Sequence, residues 1–240
     1  MISMRKGFFI KPEKTGNMIV KKFPYPIKQE HFEDFKKLHE DYVRLLSKAE
    51  IKVPETTLDF IKKGKYFIPV ITQPAFRENE LLDNIFYNGS KRTVLNVYRK
   101  MLKENFKIIN YNKKNEIKVG FDGTPRNLAI RRNKIYYFDT FPFFIKNKIA
   151  PKFIKTQVRR GLRMLSIIGH KKVTEQFFKP DKMVRAVFAS SAKRRPELKE
   201  DFKKITEEVV RMHVNPGEIY PFLNFKRSLI TRAVSAFRAS

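Results

Sequence analysis

Asp122 and Asn127 stand five residues apart in the run Gly120-Phe121-Asp122-Gly123-Thr124-Pro125-Arg126-Asn127, and Asp139 follows twelve residues later. Two carboxylates and an amide set near strand ends form an oxygen set suited to phosphoryl transfer. One carboxylate can take the proton of an attacking hydroxyl, while the amide and the second carboxylate hold Mg²⁺ on nucleotide phosphates. Asp and Asn are also the ordinary residues of turns, so the bare D-x₄-N…D spacing fits a structural turn as well.

Those side chains depend on the elements around them. Apolar runs at 117–121, 128–130 and 135–138 read as strands, separated by turns at 122–127 and 131–134. A hairpin of the last two would carry Asp139 back to Asn127. Upstream, 7–11 and 16–23 read as strands joined through 12–15. Across 30–49, Phe32, Phe35, Leu38, Tyr42, Leu45 and Leu46 recur at helical steps. Residues 66–72 form an apolar strand ending at Pro74, and 73–80 are polar and hinge-like. Residues 81–106 are mainly helical, broken at 88–90. After Pro151, helices are expected over 156–170, 181–191, 196–213 and 224–239.

In context the pattern resembles the aminoglycoside-phosphotransferase, RIO and lipopolysaccharide-kinase branches of the protein-kinase-like superfamily. Gly120-Phe121-Asp122 and Asn127-Leu128-Ala129-Ile130 stand where a catalytic loop would, and Tyr137-Phe138-Asp139 where its metal-binding carboxylate follows. The resemblance implies an α+β, bilobal fold: residues 1–74 a small β-rich N-lobe with one helix, 75–240 a mainly helical C-lobe. That C-lobe would carry the catalytic hairpin (120–139) and a basic helical region (145–240). It implies ATP and Mg²⁺ as cofactors, Asp122 as catalytic base, and Asn127 and Asp139 as metal ligands. Met18-Ile19-Val20-Lys21 matches the strand whose lysine touches the phosphates, with Lys22 as the alternative. Glu40 on the following helix would pair with that lysine, or Glu33 in its place, and 73–76 would face adenine. The chain has no G-x-G-x-x-G loop, Gly120 stands in place of a histidine, and Thr140-Phe141-Pro142 follows Asp139. The small-molecule and RIO-like branches relax all three features.

The chain has 240 residues with 52 Lys+Arg against 24 Asp+Glu, a net charge of +28. That field attracts polyanions. It is densest late in the chain, where 145–240 hold 23 bases and 8 acids. The absence of cysteine excludes disulfides and thiolate chemistry, and four scattered histidines do not suggest a histidine metal site. No apolar run approaches the ~20 residues of a membrane span, so a cytoplasmic protein without stable membrane insertion is expected. Arg159, Arg160, Arg163, Lys171 and Lys172 form one basic cluster and Lys193, Arg194 and Arg195 another; both are also what a solvated face looks like. The motif and the charge together point to a kinase acting on an anionic acceptor, RNA foremost. The resemblance to this superfamily, with its archaeal kinases of a tRNA ribose hydroxyl, implies a tRNA ribose 2′-hydroxyl as the leading expectation. A lipopolysaccharide, lipid or protein kinase and an RNA-binding pseudokinase are the alternatives.

Overall fold

A computed structural model describes residues 12–23, 26–140, 145–146 and 177–223. The described residues begin with a hairpin of β1 (Glu13–Thr15) and β2 (Met18–Lys22), turning at Gly16-Asn17. Gly16 has φ +58°, a left-handed conformation that glycine adopts without steric cost and that a tight two-residue turn requires. This corrects the expected connection at 12–15: Glu13 to Thr15 are themselves a strand. They form a fully exposed sheet edge, so no apolar alternation marks them.

β3 (Thr57–Lys63) and β4 (Tyr66–Pro74) complete an antiparallel sheet in the order β1-β2-β4-β3. β3 was not expected from the sequence. Only Leu58 and Phe60 of its seven residues turn partly inward, too short an alternation to read, and Gly64 (φ +60°) makes its turn into β4.

The amphipathic run forms α1 (Phe32–Lys48), with Glu33 and Asp34 in its first turn favouring the positive end of the helix dipole. Its first half lies on the sheet. Phe35 and Leu38 join Phe23, Ile27 and Ile71, while Phe32 stacks on Phe60 with ring centroids 4.0 Å apart. Its second half, Tyr42, Leu45 and Leu46, enters the larger core formed by the helices. One helix therefore ties both cores together.

Beyond the sheet come α2 (Leu82–Asn88) and the long α3 (Lys91–Lys114), whose Ser90 hydroxyl caps the start by accepting from the Thr93 N–H. Val94, Val97, Tyr98, Met101, Leu102, Phe106 and Ile109 bury one continuous face of α3. α4 (Pro180–Arg194), α5 (Lys199–His213) and the short α6 (Tyr220–Leu223) cover that face. Tyr98 packs on Phe202 at 4.5 Å and shares a 2.6 Å hydroxyl hydrogen bond with Thr206. Two small antiparallel pairs are also present among the described residues: β5 (Lys118–Val119) with β8 (Ile145–Lys146), and β6 (Leu128–Arg131) with β7 (Lys134–Tyr137). The fold is mixed α+β, a small antiparallel sheet with helices. Among the described residues, no helix is long and apolar enough to cross a membrane.

Candidate functional site

Pairing of β6 with β7 sets Leu128 opposite Tyr137, which places Asn127 against Phe138 at the hairpin mouth. The Phe138 N–H donates to the Asn127 carbonyl at 3.1 Å, extending the ladder by one rung. Asn127 also closes its own loop, its Nδ2 donating to the Asp122 carbonyl at 3.1 Å. That bond uses the amide nitrogen and leaves the amide oxygen as the side chain's metal-capable atom. A short helical turn, Pro125–Asn127, connects the two ends. The loop presses on α3: a Cβ at Gly123 would stand 2.3 Å from Asn105 Nδ2, so only glycine fits.

Asp122 is buried. Its Oδ2 accepts from Arg126 Nη2 at 2.9 Å, and its Oδ1 faces the Thr124 N–H at 3.4 Å. Arg126 is half exposed and reaches Asp122 from solvent. Sequence reasoning missed it; the only available signal was a guanidinium one residue before Asn127, inside the D-x₄-N run.

Lys21 arrives from the sheet. The residue is 7% exposed, and its Nζ donates to the Phe138 carbonyl and lies 5.0 Å from the Phe138 ring centre. Burial lowers its ammonium pKa to about 8, partly countered by the Asp139 carboxylate. Asp139 keeps some surface open to solvent, yet the protein packed around it raises its carboxyl to about 6. Lys21 and Arg126 oppose that rise and the like charge of Asp122 adds to it. Four of the expected residues, Lys21, Asp122, Asn127 and Asp139, thus meet in one electrostatically coupled cluster drawn from the sheet and the hairpin.

Of the two lysines, Lys21 faces the hairpin, whereas Lys22 points the other way and pairs with Glu13 at 2.9 Å. It does not bring Glu40 or Glu33 to Lys21. Both lie on the exposed face of α1, and the carboxylate whose field acts on Lys21 is Asp139. The buried residues of α1 nearest these positions are Phe35, Leu38, His39, Asp41 and Tyr42; Asp41 accepts from Arg44 at 2.6 Å, and Tyr42 donates to the Gly120 carbonyl at 2.9 Å.

Of the second basic cluster, Lys193 is exposed, but the arginines hold the fold together. Arg194 pairs with Asp83 at 2.5 Å, and Arg195 Nη1 donates to the carbonyls of Gly89 (2.9 Å) and Phe86 (3.3 Å), closing the end of α2. These contacts span more than a hundred residues, so the triplet alone could not reveal them. Arg159, Arg160, Arg163, Lys171 and Lys172 lie outside the described residues. Two surface grooves lie away from the cluster. One of about 760 Å³ lies between α3 and α5, and one of about 610 Å³ is lined by Val43, Lys52, Lys107 and Tyr136.

A sheet lysine facing a hairpin carboxylate, with an Asp–Asn loop beside it, is the arrangement this chain presents. The chain belongs to DUF6206, a family of unknown function, whose profile matches residues 7–219. No curated protein matches it.

Proposed function

We propose that this protein is an ATP- and Mg²⁺-dependent phosphotransferase of bilobal, protein-kinase-like architecture, with the four-stranded sheet as its smaller lobe. One observation carries the reading. Lys21 and Asp139, 118 residues apart, are brought together beside the Asp122–Asn127 loop, joining a phosphate-binding cation to a cation-binding carboxylate.

The donor set suits magnesium. Asp139 and Asn127 offer hard oxygens, and a carboxyl held at about 6 by burial and by Asp122 gains most from a cation's charge. Among the described residues, no three His, Cys, Asp or Glu cluster for a metal. Two protein ligands plus substrate phosphates is the usual way Mg²⁺ is held. When bound, it neutralises charge building on the phosphoryl oxygens.

In this reading Lys21 orients the nucleotide phosphates. Asp122 accepts the acceptor hydroxyl's proton as that oxygen bonds to the γ-phosphorus and the bond to the β-phosphate oxygen breaks. Arg126, already on Asp122, aims the carboxylate. The net charge of +28 supports an anionic acceptor, and RNA, with a tRNA ribose hydroxyl foremost, fits it best.

Titration calorimetry with Mg·ATP is the direct test. Wild-type protein should bind, and Lys21→Met should weaken binding by about 10²-fold, the scale of losing one charge-assisted phosphate contact. Equal affinities would refute the assignment.

A further inference from the structure

The segment between β4 and α2 shows how a nucleobase would be read at this site, an inference that rests on the phosphotransferase reading above. Pro74 has no N–H. The Ala75 N–H donates to the Asn17 carbonyl at 2.7 Å, and the Ala75 carbonyl accepts from Arg131 Nη2 at 2.9 Å. The Arg77 N–H donates to Glu80 Oε2 at 2.7 Å, and its carbonyl accepts from the Glu80 N–H at 2.9 Å.

Arg131 is fixed in this position. Glu80 takes its Nε at 2.7 Å and its Nη2 at 2.8 Å, a two-pronged ion pair, and the guanidinium lies 4.6 Å from the Phe76 ring centre. Those hydrogen bonds hold the Glu80 carboxyl down at about 2, so the clamp stays ionised at any physiological pH.

The same segment offers aromatic surface. Phe76 lies 5.7 Å from Tyr136 and 6.0 Å from Phe138, and all three rings are partly exposed. Phe138 in turn lies beneath Lys21. A base placed next to the phosphate-binding lysine therefore meets ring faces, while the Ala75 and Arg77 backbone groups are already engaged. Stacking accepts any purine, because every base has a π-face.

We propose that this site is tolerant of the purine and takes GTP as well as ATP, with Arg131 as the specificity-determining residue that occupies the Ala75 carbonyl. A site that pairs a buried group with the base edge rejects the wrong partner by about 10⁴-fold or more, whereas one that only stacks does not.

The test is calorimetric titration of the full chain with Mg·ATP, Mg·GTP and Mg·CTP. ATP and GTP should bind within about tenfold of each other, with CTP weaker for its smaller stacking face. Arg131→Ala opens the Ala75 carbonyl to adenine's 6-amino group and sets it against guanine's O6. The preference should then move toward ATP by about fivefold or more. ATP binding about a hundredfold tighter than GTP in the wild type overturns the proposal while leaving the phosphotransferase reading standing. A shift toward GTP in Arg131→Ala also overturns it. If no nucleotide binds, both fall together.

Discussion

Burial pushes the two central ionisable groups in opposite directions, holding the Lys21 ammonium down at about 8 and the Asp139 carboxyl up at about 6. The signs give a pH window. In the proposed site, Asp139 takes a proton below about 6 and would lose the charge to hold a cation, and above about 8 Lys21 would lose the charge to meet phosphate. Mg·ATP affinity should therefore peak between those values and fall on both sides, as titrations across pH 5 to 9 will read; a flat profile contradicts it. Both shifts also mean that the free fold is destabilised near neutral pH by keeping these charges. Each charged form is less favourable folded than unfolded: for Lys21 this holds until pH rises past about 8, and for Asp139 it holds once pH exceeds its ordinary 3.8. Lys21→Met or Asp139→Asn alone leaves the other charge without its counterpart and should lower the melting temperature, whereas the double variant should melt at or above wild type. If the double variant is less stable than both singles, the pair is not the cost inferred here. Which lysine turns inward was not legible from Met-Ile-Val-Lys-Lys, which lacks alternation. The choice emerges only where Glu13 holds Lys22 and the Phe138 carbonyl receives Lys21.

Elements were legible to the extent that they bury a patterned face. α1 and α3 announce themselves because half their circumference is apolar at three- and four-residue steps. β1 and β3 escaped notice because an edge strand can be almost wholly solvated. The Asp122–Asn127 loop could be picked out by its spacing, but not what fixes its position, which is its contact with α3. Gly123→Ala would drive a methyl to 2.5 Å from Phe121 Cε1 and 2.3 Å from Asn105 Nδ2. The expected cost is about 1–3 kcal/mol in chemical denaturation. Asn105→Ala removes the nearer of the two obstacles and leaves Phe121, so the pair should couple by about 0.5 kcal/mol or more in a double-mutant cycle. Strictly additive effects would show that Asn105 is not what excludes the side chain. Arg194 and Arg195 carry the complementary lesson. A basic triplet reads as surface until Asp83 and the end of α2, far off in sequence, are seen to receive it.

At the scale of the whole molecule, under the proposed function the charge of +28 and the local cluster would serve different substrates. A nucleotide needs only Lys21, a bound cation and a few neighbours; the remaining excess suits a larger anion whose binding should weaken steeply with salt. Residues 145–240 carry net +15, but Arg194 and Arg195 are held inside the fold, so that figure overstates the cations free to meet a partner. The α+β class was legible because strands and helices differ in period, whereas the bridging of two cores by α1 was not, since it depends on which half of one apolar stripe meets which neighbour. The most direct measurement is transfer of label from γ-labelled ATP, with Mg²⁺ present, to fractionated total RNA, using wild-type protein beside Asp122→Ala. Label should appear in RNA with the wild type and fall by about 10²-fold or more in the variant, while both bind RNA equally. Undiminished labelling by Asp122→Ala, or no transfer to RNA by a wild-type protein that binds Mg·ATP, would contradict the account.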